Sequence, residues 1–221
     1  MEQAIEIKHV TKKFGKRGLL SDVNFLAKRG QIIGIAGENG CGKSVLFKMI
    51  CGLEPYHEGT ILVNGQVIGK DVDYPQNVGI SINAPGYLEQ YSGFQNLKYL
   101  AEINHKISDS DIRRTMEEVG LKPEEPLKVK HYSLGMKQKL GIAQAMMEGQ
   151  DILLLDEIFN GLDYKSNVAV KKLLRRKAEE SATILLTSHN FSDLKEMCDQ
   201  IYLIEDGRIE EIEKITFSVK K

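Results

Sequence analysis

Several things that would betray a class of protein are scarce in this 221-residue chain. It has three cysteines, Cys41, Cys51 and Cys198, an odd number at spacings that suit no metal. That argues against a disulfide framework and predicts a reducing compartment such as the cytosol. No apolar run approaches the roughly 18 residues of a membrane span. The opening MEQAIEIKHV has none of the character of a secretory signal. The expectation is a chain soluble by itself, which leaves docking onto a membrane protein open. Charge of one sign is missing too: 30 Lys and Arg against 31 Asp and Glu give a formal net charge of −1. No strong basic field draws it to nucleic acid. Repeats, low-complexity segments and long linkers are also absent. The length suffices for one large domain or two small ones, with a real core.

What is there changes texture twice along the chain. Residues 2–10 alternate as a strand does, and residues 19–27 read as a second. Gln31–Ala36 reads as a buried strand. Asn64-Gly65 between apolar runs predicts a hairpin, and Val78–Ile82 a further short strand. From about Asn83 to Gly149 the pattern is mostly helical. Phe94–Ile103 is amphipathic, Ser108 and Asp111 form a capping box ahead of a helix ending near Gly120, and Ser133–Met147 is another helix. Unbroken apolar strands return at Ile152–Leu155 and Thr183–Leu186, and Asp206-Gly207 centres a terminal hairpin of Ile201–Glu205 and Arg208–Glu213. Continuous apolar strands alternating with helices indicate a parallel sheet covered on both faces. The predicted fold class is α/β. A core spans 1–82 and 151–221 with an N-terminal antiparallel β subdomain and an inserted helical subdomain at about 83–150.

The stretch GENGCGKS, Gly37 to Ser44, sits where the strand of residues 31–36 meets a helix expected from Lys43. Its spacing is G-x-x-x-x-G-K-[ST]. Glycines let successive backbone N–H groups turn inward on an anion, and the helix adds its positive end. Lys43 can then reach the β- and γ-phosphates, and the Ser44 hydroxyl can hold Mg²⁺. Gly37, Glu38, Asn39, Gly40, Cys41, Gly42, Lys43, Ser44 and Val45 are the candidate nucleotide-binding run.

Asp156 and Glu157 end the apolar run ILLL, at the sheet's carboxyl edge, where open α/β sheets bind ligands. Asp156 is placed to hold Mg²⁺, directly or through water, and Glu157 to polarise the water that attacks the γ-phosphate. Acids at a strand end also cap the next helix, but the phosphate loop favours the chemical reading. His189 follows the apolar strand TILLTS and is placed to touch the γ-phosphate or its water. Ser133 and Gly135 in YSLGMKQKL open a helix. On chemistry alone they are either an ordinary N-cap or a second phosphate-binding surface.

Together these segments resemble the ATP-binding subunit of an ABC transporter, across nearly the whole chain. GENGCGKS resembles the Walker A loop and ILLLDE the Walker B strand with its catalytic glutamate. YSLGMKQ resembles a variant of the signature usually written LSGGQ, NGLD the D-loop, and His189 the switch histidine. The resemblance implies a P-loop NTPase core, ATP and Mg²⁺ as ligands, and catalytic roles for Glu157 and His189. It implies a head-to-tail dimer, homo- or heteromeric, in which Ser133 and Gly135 reach the partner's ATP. It implies an integral membrane permease as partner, and a cytoplasmic subunit peripheral on the inner face of the cell membrane. Phe14 matches the aromatic that stacks on adenine. Asn83 stands where the family has a metal-touching glutamine, so that contact is one methylene short. Leu134 and Met136 replace the usual glycine and glutamine of the signature, and Ile158-Phe159 the usual Pro-Thr. The INAPG and SLGMKQ style is similar to the bacitracin and lantibiotic export branch. The alternative is a soluble ABC ATPase acting on nucleic acid or ribosomes, but those relatives carry coiled coils, zinc modules or two ATPase halves.

Two further segments have two readings, and two more have one. Cys41 is a tolerated small residue or an oxidation-sensitive position beside phosphate. The aromatics Tyr87, Tyr91, Phe94 and Tyr99 either pack a helical subdomain or, on the family resemblance, face a membrane subunit. The run Lys171–Lys177 reads as a solvated helix face and Met146-Met147 as core filler.

Overall fold

The computed structural model describes residues 2–15, 17–82, 86–188 and 190–212. Asn83 and His189 lie outside the described residues. The chain opens with two long strands, β1 (Gln3–Phe14) and β2 (Arg17–Lys28). Strand β3 (Ile32–Gly37) then runs into helix α1 (Lys43–Ile50). Strands β4 (Glu58–Val63) and β5 (Gln66–Val67) meet at Asn64-Gly65, both at positive φ, as the paired left-handed turn demands. Strand β6 (Val78–Ser81) precedes three helices: α2 (Gly93–Asn104), α3 (Asp109–Glu118) and α4 (Leu134–Met146). The remainder alternates: β7 (Ile152–Leu155), α5 (Tyr164–Glu179), β8 (Thr183–Thr187), α6 (Phe191–Met197), β9 (Gln200–Glu205), β10 (Arg208–Ile212).

Among the described residues the strands form two sheets. One is antiparallel, in the order β2-β1-β4-β5. The other runs β10-β9-β3-β8-β7-β6 and is parallel except for β10. Its central strands are buried on both faces, which is why they read as unbroken apolar runs. Ile33, Ile35, Leu154 and Leu185 point into one core, shared with α1 and the antiparallel sheet. Ile32, Leu153, Leu155, Ile184 and Leu186 point into the other, under the remaining helices. Both Met146 and Met147 are buried in this second core, as expected.

Local signals set the helix starts. Ser92 and Ser108 each close a reciprocal capping box, with Gln95 and Asp111. Ser133 caps α4 by accepting from the Met136 N–H. Asp163 caps α5 from Ser166, and those hydrogen bonds hold its carboxyl below the usual range. At its far end α4 lies directly on β6: a Cβ at Gly79 would meet the Ala145 carbonyl oxygen at 1.7 Å.

The order β3-β8-β7 matters most. Three adjacent parallel strands end on one edge, so β8 brings Thr187 between the loop after β3 and the acids after β7.

Candidate functional site

The loop from Gly37 to Gly42 reverses the chain with glycines at positive φ, 147° at Gly37, 79° at Gly40 and 117° at Gly42. Gly37 is hemmed in as well. A Cβ there would lie 2.6 Å from the Cys41 Sγ and 2.7 Å from the Ile204 carbonyl oxygen. The Lys43 ammonium is buried and folds back over the loop, donating to the carbonyl oxygens of Gly37 at 2.8 Å and Glu38 at 2.9 Å. This ties the loop shut around a cation that an anion could take over.

The Ser44 hydroxyl donates to Asp156 Oδ2 at 2.6 Å, across 112 residues of sequence. Asp156 is buried, and its other oxygen accepts from the Thr187 hydroxyl at 2.7 Å. Thr187 Oγ1 in turn accepts from the Glu157 N–H at 2.9 Å. Glu157 therefore leaves the strand on a hydrogen-bonded turn with φ 56°, in the left-handed region that non-glycine residues avoid. Its Oε2 accepts from the Asn160 amide at 2.8 Å.

A cleft collects Phe14, Leu19, Asn39, Gly40, Gly42, Lys43, Ser44, Val45 and Glu157. Phe14 ends β1 at one wall, 51% exposed and so available to stack on a planar ligand. Its other neighbour is the Lys12 ammonium, 4.6 Å from the ring centroid and fixed by Glu54 Oε1 at 2.6 Å and the Pro55 carbonyl at 2.7 Å. Cys41 and Glu38 line a neighbouring groove with Arg17 and the Leu203–Gly207 turn. The side chains of those two members of the run thus lie off the cleft, which leaves backbone roles for them.

Ser133 and Gly135 stand apart from the cleft-lining residues. Gly135 faces the D-loop-like turn of the same chain instead. A Cβ at Gly135 would meet the Gly161 carbonyl oxygen at 2.7 Å, and a Cβ at Gly161 would meet Leu134 Cδ2 at 2.6 Å. Leu134 is still 57% exposed. The aromatic segment divides. Burial raises the Tyr87 phenol well above its ordinary range, with its hydroxyl on the Lys137 carbonyl, and Phe94 carries the Arg113 guanidinium at 4.4 Å. Tyr91 and Tyr99 pair edge to face at 5.3 Å and remain exposed.

Two residues escaped the sequence reading. Thr187 is the hub that joins Asp156 to Glu157, and its only trace was a hydroxyl at the end of an apolar strand. Lys171 does not belong to a solvated face: its side chain is 11% exposed and pairs with Asp193 at 2.7 Å. A basic run conceals a largely shielded member because composition is blind to helix face. Arg175, Arg176 and Lys177 are paired at the surface, with Asp199, Glu118 and Glu180.

The ABC transporter family model matches residues 20–160. An uncharacterised ABC transporter ATP-binding protein of Bacillus subtilis, YybJ, is 39% identical, covering 96% of this chain and 98% of its own. The bacitracin transport ATP-binding protein BcrA of Enterococcus faecalis is 33% identical over 99% of this chain and 71% of its own. The lantibiotic transport ATP-binding protein SrtF of Streptococcus pyogenes is 32% identical over 93% and 88%. A solved structure described as the ATP-binding subunit of an ABC transporter superposes with a TM-score of 0.84 at 27% identity, covering 95% of this chain and 89% of that one.

Proposed function

Since the chain belongs to the ABC transporter family as an ATP-binding subunit, we propose that it hydrolyses ATP in the cleft between Phe14 and Glu157 to drive export. It is an ATPase that powers transport through a separate permease. Among the described residues no helix is long and apolar enough to cross a membrane. The subunit would act from the cytoplasmic face on that separate permease.

The observation that carries the site reading is the Ser44–Asp156 contact. A hydroxyl and a carboxylate meet at the end of the loop that Lys43 closes. Hard oxygen donors of this kind suit Mg²⁺. When bound there with nucleotide, the ion offsets charge on the β- and γ-phosphates. The rest falls to the chain. Adenine stacks on Phe14. Backbone N–H groups from Asn39 to Ser44 line the phosphate path, and the Lys43 ammonium exchanges loop carbonyls for phosphate oxygens. Glu157 accepts a hydrogen bond from the attacking water, its turn set by Thr187 and its carboxylate by Asn160. His189 and Asn83 would complete the γ-phosphate and metal contacts.

Ser133 and Gly135 would serve a second ATPase subunit. They open α4 away from this chain's own cleft, on the side of the exposed Leu134, which supports a head-to-tail dimer that shares two ATP molecules. Such closure follows only if ATP makes contacts in the closed state that the open state lacks. The relatives named for bacitracin and lantibiotic transport support a peptide-like antimicrobial as cargo. The near-neutral charge and the ion-paired basic run of α5 weigh against nucleic acid.

The test is co-purification after gentle solubilisation of native membranes, followed by trapping with Glu157→Gln and saturating ATP. A polytopic membrane protein at near-stoichiometric amount and an ATP-locked dimer are expected. Only ribosomal or DNA-bound partners would overturn the transport reading, and failure of the variant to close with its permease would overturn the dimer.

A further inference from the structure

Helix α5 carries a cation where stability alone does not ask for one. Lys171 sits on its inner side with its ammonium 2.7 Å from Asp193 Oδ1, each side chain 11% exposed. Glu196 supplies a second carboxylate. Burial pulls the ammonium downward, but the two carboxylates more than offset this and hold it above the ordinary lysine range. Replacing a buried ion pair with apolar residues is often neutral or favourable, so its presence asks what it holds in place.

Two contacts answer. On one side the Lys171 ammonium lies over the Phe159 ring, 5.7 Å from its centroid. Phe159 is buried and stands between Glu157 and Asn160, in the turn that aims the Glu157 carboxylate. On the other side Asp193 Oδ2 accepts from the buried Ser188 hydroxyl at 3.3 Å. Ser188 follows Thr187, which binds both Asp156 and the Glu157 N–H. The same oxygen of Ser188 accepts from the Asn190 N–H at 3.1 Å. Lys171 and Asp193 thus bridge the segment after β7 and the segment after β8 from behind, away from the nucleotide cleft.

We propose that Lys171 and Asp193 are positioning residues for hydrolysis, clamping the Glu157 turn through Phe159 and the end of β8 through Ser188. The proposal rests on Glu157 as the residue that acts on the attacking water. It makes the clamp a coupling between the turn carrying Asn160–Asp163 and the end of β8. A shift in one segment is passed to the other through two charged side chains.

The experiment uses the purified full chain with Mg²⁺ and ATP, reading kcat, KM and binding of a fluorescent ATP analogue. Lys171→Met keeps the apolar stem and removes the charge. It should lower kcat by roughly tenfold while KM and nucleotide affinity stay within about twofold. Lys171→Arg should recover most of the loss. Phe159→Leu should lower kcat in the same sense, and the Lys171→Met/Phe159→Leu pair should be no worse than Lys171→Met. Unchanged kcat in folded Lys171→Met overturns the clamp. So does a fall in kcat that Lys171→Arg fails to recover, or one matched by lost ATP binding. If Lys171→Met does not fold, Phe159→Leu and Asp193→Asn carry the same comparison, and normal kcat in both overturns it. Glu157→Gln run in parallel separates the two readings. Full hydrolysis there removes the Glu157 role itself, whereas lost hydrolysis beside normal Lys171→Met turnover removes only the clamp.

Discussion

The Asn160 amide holds the Glu157 carboxylate at 2.8 Å while Glu157 itself stands at φ 56°. A left-handed conformation costs a non-glycine residue about 1–2 kcal/mol, so the surrounding turn must enforce it. Asn160→Ala removes this one hydrogen bond to the carboxylate. It should reduce kcat by about three- to tenfold and leave KM for ATP unchanged, as read from steady-state phosphate release. Glu157→Gln should go further, by about a hundredfold or more, with ATP still bound.

The Ser44–Asp156 contact predicts a metal dependence. Chelating divalent ions should abolish turnover of the unmodified protein. Ser44→Ala and Asp156→Asn should each suppress hydrolysis by about a hundredfold and blunt the difference in ATP affinity with and without Mg²⁺. Titration of a fluorescent ATP analogue in Mg²⁺ and in EDTA reads both effects. Equal Mg²⁺ dependence in the Asp156 variant would remove it from the metal site.

Phe14 is half exposed at the cleft wall, with the Lys12 ammonium 4.6 Å from its ring centroid. Stacking on an aromatic side chain is worth about 1–3 kcal/mol by alanine substitution, so Phe14→Ala should weaken ATP binding by about tenfold. Phe14→Tyr should preserve it. Because every base has a π-face, GTP should compete with ATP nearly as well before and after the change. Competition binding measures all three.

Packing between α4 and β6 leaves no room at Gly79, where a Cβ would fall 1.7 Å from the Ala145 carbonyl oxygen. The obstacle is backbone, which cannot swing aside as a side chain can. Gly79→Ala should cost about 3 kcal/mol or more, seen as a large fall in thermal midpoint or as insoluble protein. Gly69→Ala, at a site with nothing within 4 Å but with φ 81°, should cost only about 1 kcal/mol for its backbone strain.

Alkaline pH should loosen the core around α1. Burial pushes the Cys51 thiol from its ordinary 9.0 up to about 12. The folded state then keeps its proton where the unfolded chain loses it. Stability is complete below pH 9 and falls as pH rises from there towards 12. The buried phenols of Tyr87, Tyr132 and Tyr202 are shifted upward too, chiefly by desolvation, and add to the same slope. Cys51→Ala should flatten the pH dependence of denaturant midpoints between pH 9 and 11. An unchanged slope would assign the effect to the tyrosines alone.

Local chemistry made much of this protein legible in advance. The glycine spacing of GENGCGKS, the capping serines 108 and 133 and the turn at Asn64-Gly65 act over a few residues, where backbone sterics and hydrogen bonding leave little choice. Unbroken apolar runs announced a buried parallel sheet because both faces of such strands exclude water. The tertiary structure alone decided how the runs are ordered. Placing β8 between β3 and β7 makes Thr187 the hub between Ser44's partner and Glu157, and no local rule ranks one strand order above another. It also decided which lysine of α5 is shielded from solvent. Helical periodicity gives each residue a direction, but what lies in that direction for Lys171 is Asp193 and Phe159, supplied by chain that is distant or folded back. The sequence determined the elements and the phosphate-binding loop; the fold determined which side chains meet.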